Sequence, residues 1–418
     1  MWELIKSNQR KSTFLFTGMA IILILLGYLI GSTFYPDGGG VFGVSIAIII
    51  WTVLSIVSVS SGSSLMLSIS KAQEVTPAVH QQLFNVVEEM KIAAGLPAMP
   101  KVYIINSEAM NAFATGKDPS NCAVVVTAGL LSKLNRDELQ GVIGHEISHI
   151  LNRDTKFMTY AAVMLGAIVL IAEIFLRGMF YSGGGRRYSS KSSGGGQAQV
   201  IMLVVAIIFA ILAPIMARLL YFAISRKREY LADASGARLT RYPEGLASAL
   251  EKISQCTDEL QSANKVTAAM YIANPLKKKG MKLSDLTSTH PPISERIRIL
   301  RGMMHGHGAN FSDYQKSFSS VKRSPSVIIP ASGLTDKNVL PLREAGEKLT
   351  GQFSVADEKR KMGNIMMAVN NYSSITCQCG MKIKIPPGFG TNKPEVICPK
   401  CGTVHKVSVA EQMRSGVV

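Results

Sequence analysis

A chain of 418 residues has room for two or three domains. Only 17% of its residues are charged and its mean hydropathy is +0.21, more apolar than a typical soluble protein, so a wholly soluble chain is disfavoured. The formal net charge of +17 could suit nucleic acid, but in so apolar a chain it points first to anionic membrane headgroups.

Residues 1–13 are basic, with Lys6, Arg10 and Lys11. Residues 14–34 are 21 consecutive uncharged positions. About 20 helical residues cover the hydrocarbon core, so this run can span it. It is too long for a signal-peptide core and lacks a clear cleavage site, so it is expected to be retained. Tyr35-Pro36-Asp37-Gly38-Gly39-Gly40 is a turn, and 41–60 is a second span. The positive-inside bias puts residues 1–13 in the cytosol and the turn outside, with re-entry near Gly62.

Residues 76–94 carry Val79, Leu83, Val86, Val87 and Met90 at helical spacing. Residues 102–105 and 124–127 are apolar, β-branched strand candidates. Between them lies Asn111-Ala112-Phe113-Ala114-Thr115-Gly116, either a sheet edge open to a peptide or an ordinary hairpin arm.

The chemistry concentrates at Gly144-His145-Glu146-Ile147-Ser148-His149. Histidines four apart on a helix lie on one face, about 40° apart around the axis. Both imidazoles can reach one Zn²⁺, with Glu146 beside the open coordination position as a general base. Local signals favour the helix: Asn135 is a good N-cap, Asp137 and Glu138 occupy the first turn, and Leu139, Val142 and Ile143 form an apolar face.

Residues 158–176 and 200–217 are expected to form a second membrane hairpin around a Gly/Ser/Arg loop. Glu173, Pro214 and Arg218 interrupt the pair, and Arg177, Arg186, Arg187 and Lys191 oppose the positive-inside bias if it spans, so a shallow or re-entrant hairpin is the alternative. Next comes Ser225-Arg226-Lys227-Arg228-Glu229-Tyr230-Leu231-Ala232-Asp233. A catalytic zinc takes three protein ligands and one open site. Glu229 can be the third ligand. Asp233, one helical turn on, can accept the free ring N–H of a ligand histidine.

Residues 244–256 are a soluble helix, and Thr289-His290-Pro291-Pro292 leads into another at 293–300. Residues 303–370 are poorly patterned and are expected to be a linker with some local helix, with a short strand at Val327-Ile328-Ile329-Pro330. At 371–410 stands Cys377-Gln378-Cys379-Gly380, followed by Cys398-Pro399-Lys400-Cys401-Gly402. The second knuckle is a strong zinc-ribbon signal, and 382–385 and 404–407 can supply strands. Cys377 and His405 compete as the fourth ligand beside Cys379, Cys398 and Cys401, because the first knuckle is Cys-x-Cys. Four protein ligands leave no open position, so this zinc is structural. Without interleaved aromatics to stack bases, a protein partner is favoured over nucleic acid. Cys122 and Cys256 are isolated and suit small buried positions; with no disulfide framework, the compartment is reducing.

His145-Glu146-Ile147-Ser148-His149 with Asn152 and Asp154, the 225–233 segment, Asn111–Gly116 and the stretch from Thr289 to Arg296 together resemble the HtpX-type membrane zinc metalloproteases, relatives of the CAAX prenyl endopeptidase. The resemblance covers about residues 12–302 and does not obviously extend to the C-terminal quarter. It implies that Asn111, Ala112, Phe113 and Ala114 lie on the edge strand that pairs with substrate backbone. It implies that His290 and Arg296 lie near the site, stabilising an oxyanion or holding Glu229. It also implies misfolded or damaged membrane proteins as substrates.

The expected architecture is a mainly α multi-pass membrane protein. A membrane hairpin (1–62) leads to a zincin-like α+β metalloprotease domain with a short β-sheet (63–302), interrupted by the second hairpin, then the linker (303–370) and a small β zinc ribbon (371–410). Two Zn²⁺ are expected: a catalytic one on His145, His149 and Glu229, and a structural one. The partners are the lipid bilayer and protein substrates, and the expected place is the inner, cytoplasmic membrane with the site facing the cytosol. Two other functions compete. Intramembrane proteolysis needs the motif inside an apolar span, and Arg136, Asp137, Glu138, Asn152, Arg153 and Asp154 flank it here. A membrane adaptor acting through the ribbon needs an inert site, and both ligands and base are intact.

Overall fold

The computed structural model describes residues 2–35, 37–182, 196–263, 268, 270–275, 290–306, 308–323, 327–329, 331–334, 340–346, 354–387, 389 and 395–406. The loop arginines Arg186 and Arg187, Lys191, Thr289 and the last four positions of 371–410 fall outside them.

Helices α1 (Trp2–Phe34) and α2 (Gly39–Ile69) form the first hairpin. They cross closely at glycines: a Cβ on Gly27 would lie 2.6 Å from the Gly43 carbonyl oxygen. Hydroxyls return their hydrogen bonds to the preceding turn, as Thr33 does to Leu29 O and Ser55 to Trp51 O, so few polar groups are left for lipid to face. After β1 (Ala72–Glu74) comes α3 (Gln81–Ala94). It starts later than the expected 76 because His80 caps it, Nδ1 accepting from Leu83 N at 3.2 Å. Next are β2 (Lys101–Ile105), β3 (Ala112–Asp118) and β4 (Asn121–Thr127). The sheet order is β1-β2-β4-β3, with β2 parallel to β4 and the other pairs antiparallel. The 111–116 stretch is therefore both a hairpin arm and a sheet edge.

Helix α4 (Ala128–Lys133) leads to α5 (Arg136–Leu151), which carries the His-Glu-x-x-His motif. Helix α6 (Asp154–Ser182) and the long α7 (Gly196–Thr240) enter and leave the apolar layer. Ser12–Phe34, Gly39–Ile69 and Asp154–Gly178 are long and apolar enough to cross a membrane; Leu203–Ala217 is a shorter apolar stretch within α7. Leu15, Met19, Leu23, Met158, Leu165, Ile168 and Ala213 pack between these helices, while Val41, Ile49, Ile56 and Ile174 stay exposed as a lipid-facing surface requires.

Helices α8 (Pro243–Gln255) and α9 (Ile293–Met303) complete the core beneath the sheet. The stretch expected to be a linker is not one where it is described. Helices α10 (Phe311–Lys322), α11 (Ala331–Leu334) and α12 (Val355–Val369) lie in it. Phe311, Tyr314, Phe318, Ile329, Met362, Ile365 and Val369 join the main core cluster. Fully burying such a side chain is worth about 1.5–3 kcal/mol, which holds the segment down. Positions 327–329 form no strand. Two hairpins follow, β5 (Ser373–Thr376) with β6 (Lys382–Ile385), and β7 (Glu395–Ile397) with β8 (Val404–Lys406).

Candidate active site

Helix α5 is fixed from its first turn. Asn135 Oδ1 accepts from Glu138 N at 2.9 Å and the Glu138 carboxylate accepts from Asn135 N at 2.9 Å, a reciprocal capping box. Leu139, Val142, Ile143, Ile147 and Ile150 bury one face in the core. Helix α7 meets α5 at Gly236, where a Cβ would lie 3.0 Å from His145 N. That close crossing brings Glu229 to the histidines across about eighty residues of chain.

His145 Nε2 lies 3.6 Å from Glu229 Oε2, and His149 Nε2 lies 3.4 Å from Glu229 Oε1. The two rings are perpendicular with centroids 4.8 Å apart. Ligands around a tetrahedral zinc at bonds of about 2.0–2.2 Å stand roughly 3.4 Å from one another, so this donor set fits that ion. His145 Nε2, Glu146 Oε1 and Glu229 Oε2 are buried and have no hydrogen-bond partner among the described residues. Buried polar atoms are rarely left so, and an ion supplies what the two ligand atoms lack.

Each ligand histidine is oriented through its other nitrogen. His145 Nδ1 faces Asp233 Oδ1 at 3.0 Å. Arg296 grips that carboxylate with Nε at 2.8 Å and Nη2 at 2.7 Å. Arg296 Nη2 is also 3.5 Å from His145 Nδ1. With Nδ1 donating to Asp233, the guanidinium is a second donor there and no acceptor for it. Arg296 Nη1 donates to Ile272 O at 3.0 Å and lies 3.6 Å from Glu229 Oε2. His149 Nδ1 faces Asp154 Oδ2 at 3.3 Å, and Arg228 Nη1 donates to Asp154 Oδ1 at 3.0 Å. Arg228 also reaches Ser12 Oγ at 2.6 Å and covers the Phe157 ring at 3.7 Å.

The charge balance asks for a cation. Burial works to lower both imidazoles, but carboxylates outweigh it: Asp233 and Glu229 raise His145, and Asp154 and Glu229 lift His149 to about 10. Burial works to raise Glu229, and the nearby histidines hold it well below the usual carboxylate range. Asp233 is likewise lowered against its burial, chiefly by Arg296. Glu146 is raised, chiefly by burial, as suits a group that must accept a proton. Burial pushes His290 down to about 4, so it faces Glu229 Oε2, 3.8 Å away, as a neutral imidazole.

β3 passes beside the centre at Ala112–Ala114, with Asn111 immediately before the strand. Ala112 O accepts from Ile272 N at 2.9 Å, the Ala114 amide donates to the Glu146 carboxylate, and Gly116 O accepts from Thr155 Oγ1 at 3.1 Å. Alternate residues of β3 thus turn their backbone groups away from β4, toward the site. Phe113 points into a small cluster against Tyr271, and the Asn111 side chain donates to Ala273 O at 2.9 Å.

The four C-terminal cysteines also converge. Cys377 and Cys401 Sγ are 3.4 Å apart, Cys379 and Cys398 3.7 Å, and all four lie within 4.8 Å of one another. His405 lies outside the cluster. Left-handed glycines, Gly380 at φ 81° and Gly402 at φ 74°, let each knuckle fold back. The cluster could hold one metal ion.

Residues 77–304 match the profile of Peptidase family M48. The chain belongs to peptidase family M48. A Protease HtpX homolog of Dictyoglomus turgidum is 47% identical over 302 residues, 72% of this chain and 94% of that protein. One from Streptococcus uberis is 40% identical over 303 residues, 72% of this chain and 100% of that protein. A crystal structure of S. mikatae Ste24p aligns with a TM-score of 0.37 at 20% identity, over 72% of this chain and 67% of that one. This M48 peptidase is a membrane zinc metalloendopeptidase with His145, His149 and Glu229 as its metal site. The sequence missed the His149-facing Asp154 and its Arg228; Asp154 carried only the resemblance, and nothing nearby gave it a role.

Proposed function

We propose that this peptidase cleaves misfolded or damaged membrane proteins at the cytosolic face of the inner membrane. The supporting observation is the height of the site. Helix α7 runs unbroken from its apolar part into the charged run Arg226-Lys227-Arg228-Glu229, so Glu229 sits in a charged segment directly beyond the apolar one. Asp154, which faces His149, is the first residue of α6, whose apolar span begins there. The centre is thus outside the lipid but tied to its surface, within reach of segments that leave the bilayer. The basic residues Lys6 and Arg10 precede the first span and support a cytosolic orientation.

His145, His149 and Glu229 would hold the zinc, which would supply Lewis acidity to a bound water and to the scissile carbonyl. Glu146 takes the proton from that water and returns it to the leaving amine, help worth about 10²–10⁴-fold. Asp233 and Asp154 hold the imidazole tautomers, each gripped by an arginine. Of Asn111, Ala112, Phe113 and Ala114, it is the β3 edge at Ala114, beside Glu146, that lies nearest the substrate backbone and aligns it, Ala112 O being taken by Ile272 N. His290 steadies Glu229 and donates toward the oxyanion. Cys377, Cys379, Cys398 and Cys401 hold a structural zinc in a ribbon that docks a protein partner.

The test is reconstitution of purified protein in vesicles with a destabilised membrane protein, beside the same protein correctly folded. Selective cleavage of the destabilised form supports the proposal. Equal cleavage of both, or of neither while a soluble unfolded chain is cut, contradicts it.

A further inference from the structure

Residues 340–346 lie beyond the family match, yet they touch both helices that carry the metal ligands. The segment is anchored first at α10, where Leu340 N donates to Asn310 Oδ1 at 3.1 Å and Leu340 O accepts from Ala309 N at 2.9 Å. Arg343 then bridges two helix ends. Its backbone N donates to Arg241 O at 2.9 Å and its Nε to Thr240 O at 3.1 Å, at the C-terminal end of α7. Its Nη2 donates to Asp137 Oδ1 at 2.7 Å and Gln140 Oε1 at 2.5 Å, at the start of α5. Gly346 N adds a bond to Asp137 Oδ2 at 2.7 Å. The guanidinium also covers the Tyr242 ring at 4.9 Å.

The two helices touch at Gly236 and His145. On one side of that contact lies Glu229, about 10 Å along α7; on the other lies Thr240, about 6 Å along it. A Cβ on Gly144 would lie 3.0 Å from Thr240 Cγ2, so the contact continues to Thr240, and the strap ties the two helix ends there, on the side opposite the metal. If those ends spread, the ligands on the far side move relative to one another, and spacings of 3.4 and 3.6 Å leave little tolerance. Asp137 gains as well. Its charge suits the N-terminal end of α5, but it is buried, and Arg343 brings a cation to it.

We propose that Arg343 is a positioning residue for the catalytic metal: the strap 340–346 fixes the crossing of α5 and α7 and through it the geometry of His145, His149 and Glu229. The experiment uses the full chain loaded with Co²⁺, where thiolate charge-transfer bands report the cysteine cluster apart from the weaker d–d bands of the His₂Glu site. Arg343→Ala and Arg343→Lys are compared with the unaltered chain at a temperature where circular dichroism shows each fully folded. The readouts are the rate at which a chelator bleaches the d–d bands, and kcat and KM on an unfolded polypeptide with zinc. Arg343→Ala should lose metal about two- to thirtyfold faster and lose kcat by a similar factor, with KM little changed. Arg343→Lys, which keeps the charge but not the fork, should fall between. Should Arg343→Ala fail to fold, Gln140→Ala removes one arm of the clamp and leaves both charges; it should show the same split on a smaller scale. A folded variant with a lowered melting temperature but unchanged metal loss and kcat overturns the proposal and leaves the strap a stabilising contact alone.

Discussion

His149 turns Nδ1 onto the Asp154 carboxylate, 3.3 Å away across the bend where α5 gives way to α6. His145 meets Asp233 in the same way at 3.0 Å, but from another helix. Each aspartate is in turn gripped by a buried arginine, Arg228 or Arg296. The two ligand histidines thus have matched supports of different origin, one local and one distant. Asp154→Ala should therefore behave like Asp233→Ala and cost about 10–100-fold in metal affinity or activity, by zinc competition against a chelating dye. An Asp154→Ala protein with unchanged affinity and turnover would show that the second histidine needs no such support.

Metal binding should expel protons. Without metal, Asp154 and Glu229 lift His149 to about 10, so that imidazole is charged at pH 7.5, and Asp233 and Glu229 push His145 in the same direction. Glu229 and Asp233 are lowered and already ionised there. Zinc takes neutral imidazole, so at pH 7.5 the His149 proton should leave with each ion bound, joined by that of His145 to the extent that its raised imidazole is charged. Because the histidine values are raised, release persists through neutral pH and fades as pH rises through them; falling pH favours the protons and weakens the metal. Calorimetry in buffers of different ionisation heat, on a chain with the four clustered cysteines changed to serine, measures this number. A release near zero would mean that the imidazoles are neutral before the metal arrives.

Helix α5 was legible because its signals are local: the Asn135 cap, the acidic first turn and the apolar face at Leu139, Val142 and Ile143 all lie within a few residues of the histidines. Glu229 and Asp233 became legible by company, since only the Gly236 crossing brings them in. Asp154 stayed hidden because the chain breaks helical period before it, with Arg153 at φ 61°. The 303–370 segment was misjudged although Phe311, Tyr314 and Phe318 recur at helical spacing, as do Met362, Ile365 and Val369. Their short helices alternate with serine and lysine, which hides a narrow apolar stripe. Arg343 could not be read at all, because it bonds from irregular chain to elements about a hundred and two hundred residues earlier.

Topology is testable directly. Reporters fused after Gly62 and Ser225 should be cytosolic, and one at Gly38 external. A reporter at Gly183 should be external if α6 and the Leu203–Ala217 stretch both cross. A cytosolic Gly183 would mean a hairpin that turns back, while an external Ser225 would contradict the proposed orientation of the site.

The cysteine cluster should behave as a closed structural site. A fragment of residues 371–410 has little core of its own, so it should bind one zinc and unfold with a chelator. All four sulfurs converge, so Cys377→Ser should weaken that zinc and His405→Ala should not. A folded, metal-free fragment, or a dependence on His405 in place of Cys377, would contradict this.

The central claim is that His145, His149 and Glu229 hold the catalytic zinc while Glu146 moves the proton. The measurement is zinc content beside turnover in the chain with the four clustered cysteines changed to serine, carrying Glu146→Gln or Glu229→Ala. Glu146→Gln should keep one zinc and lose about 10²–10⁴-fold in turnover. Glu229→Ala should lose both the zinc and the activity. A zinc-loaded Glu146→Gln protein with near-normal turnover, or a Glu229→Ala protein that retains one tightly held zinc, would contradict the account.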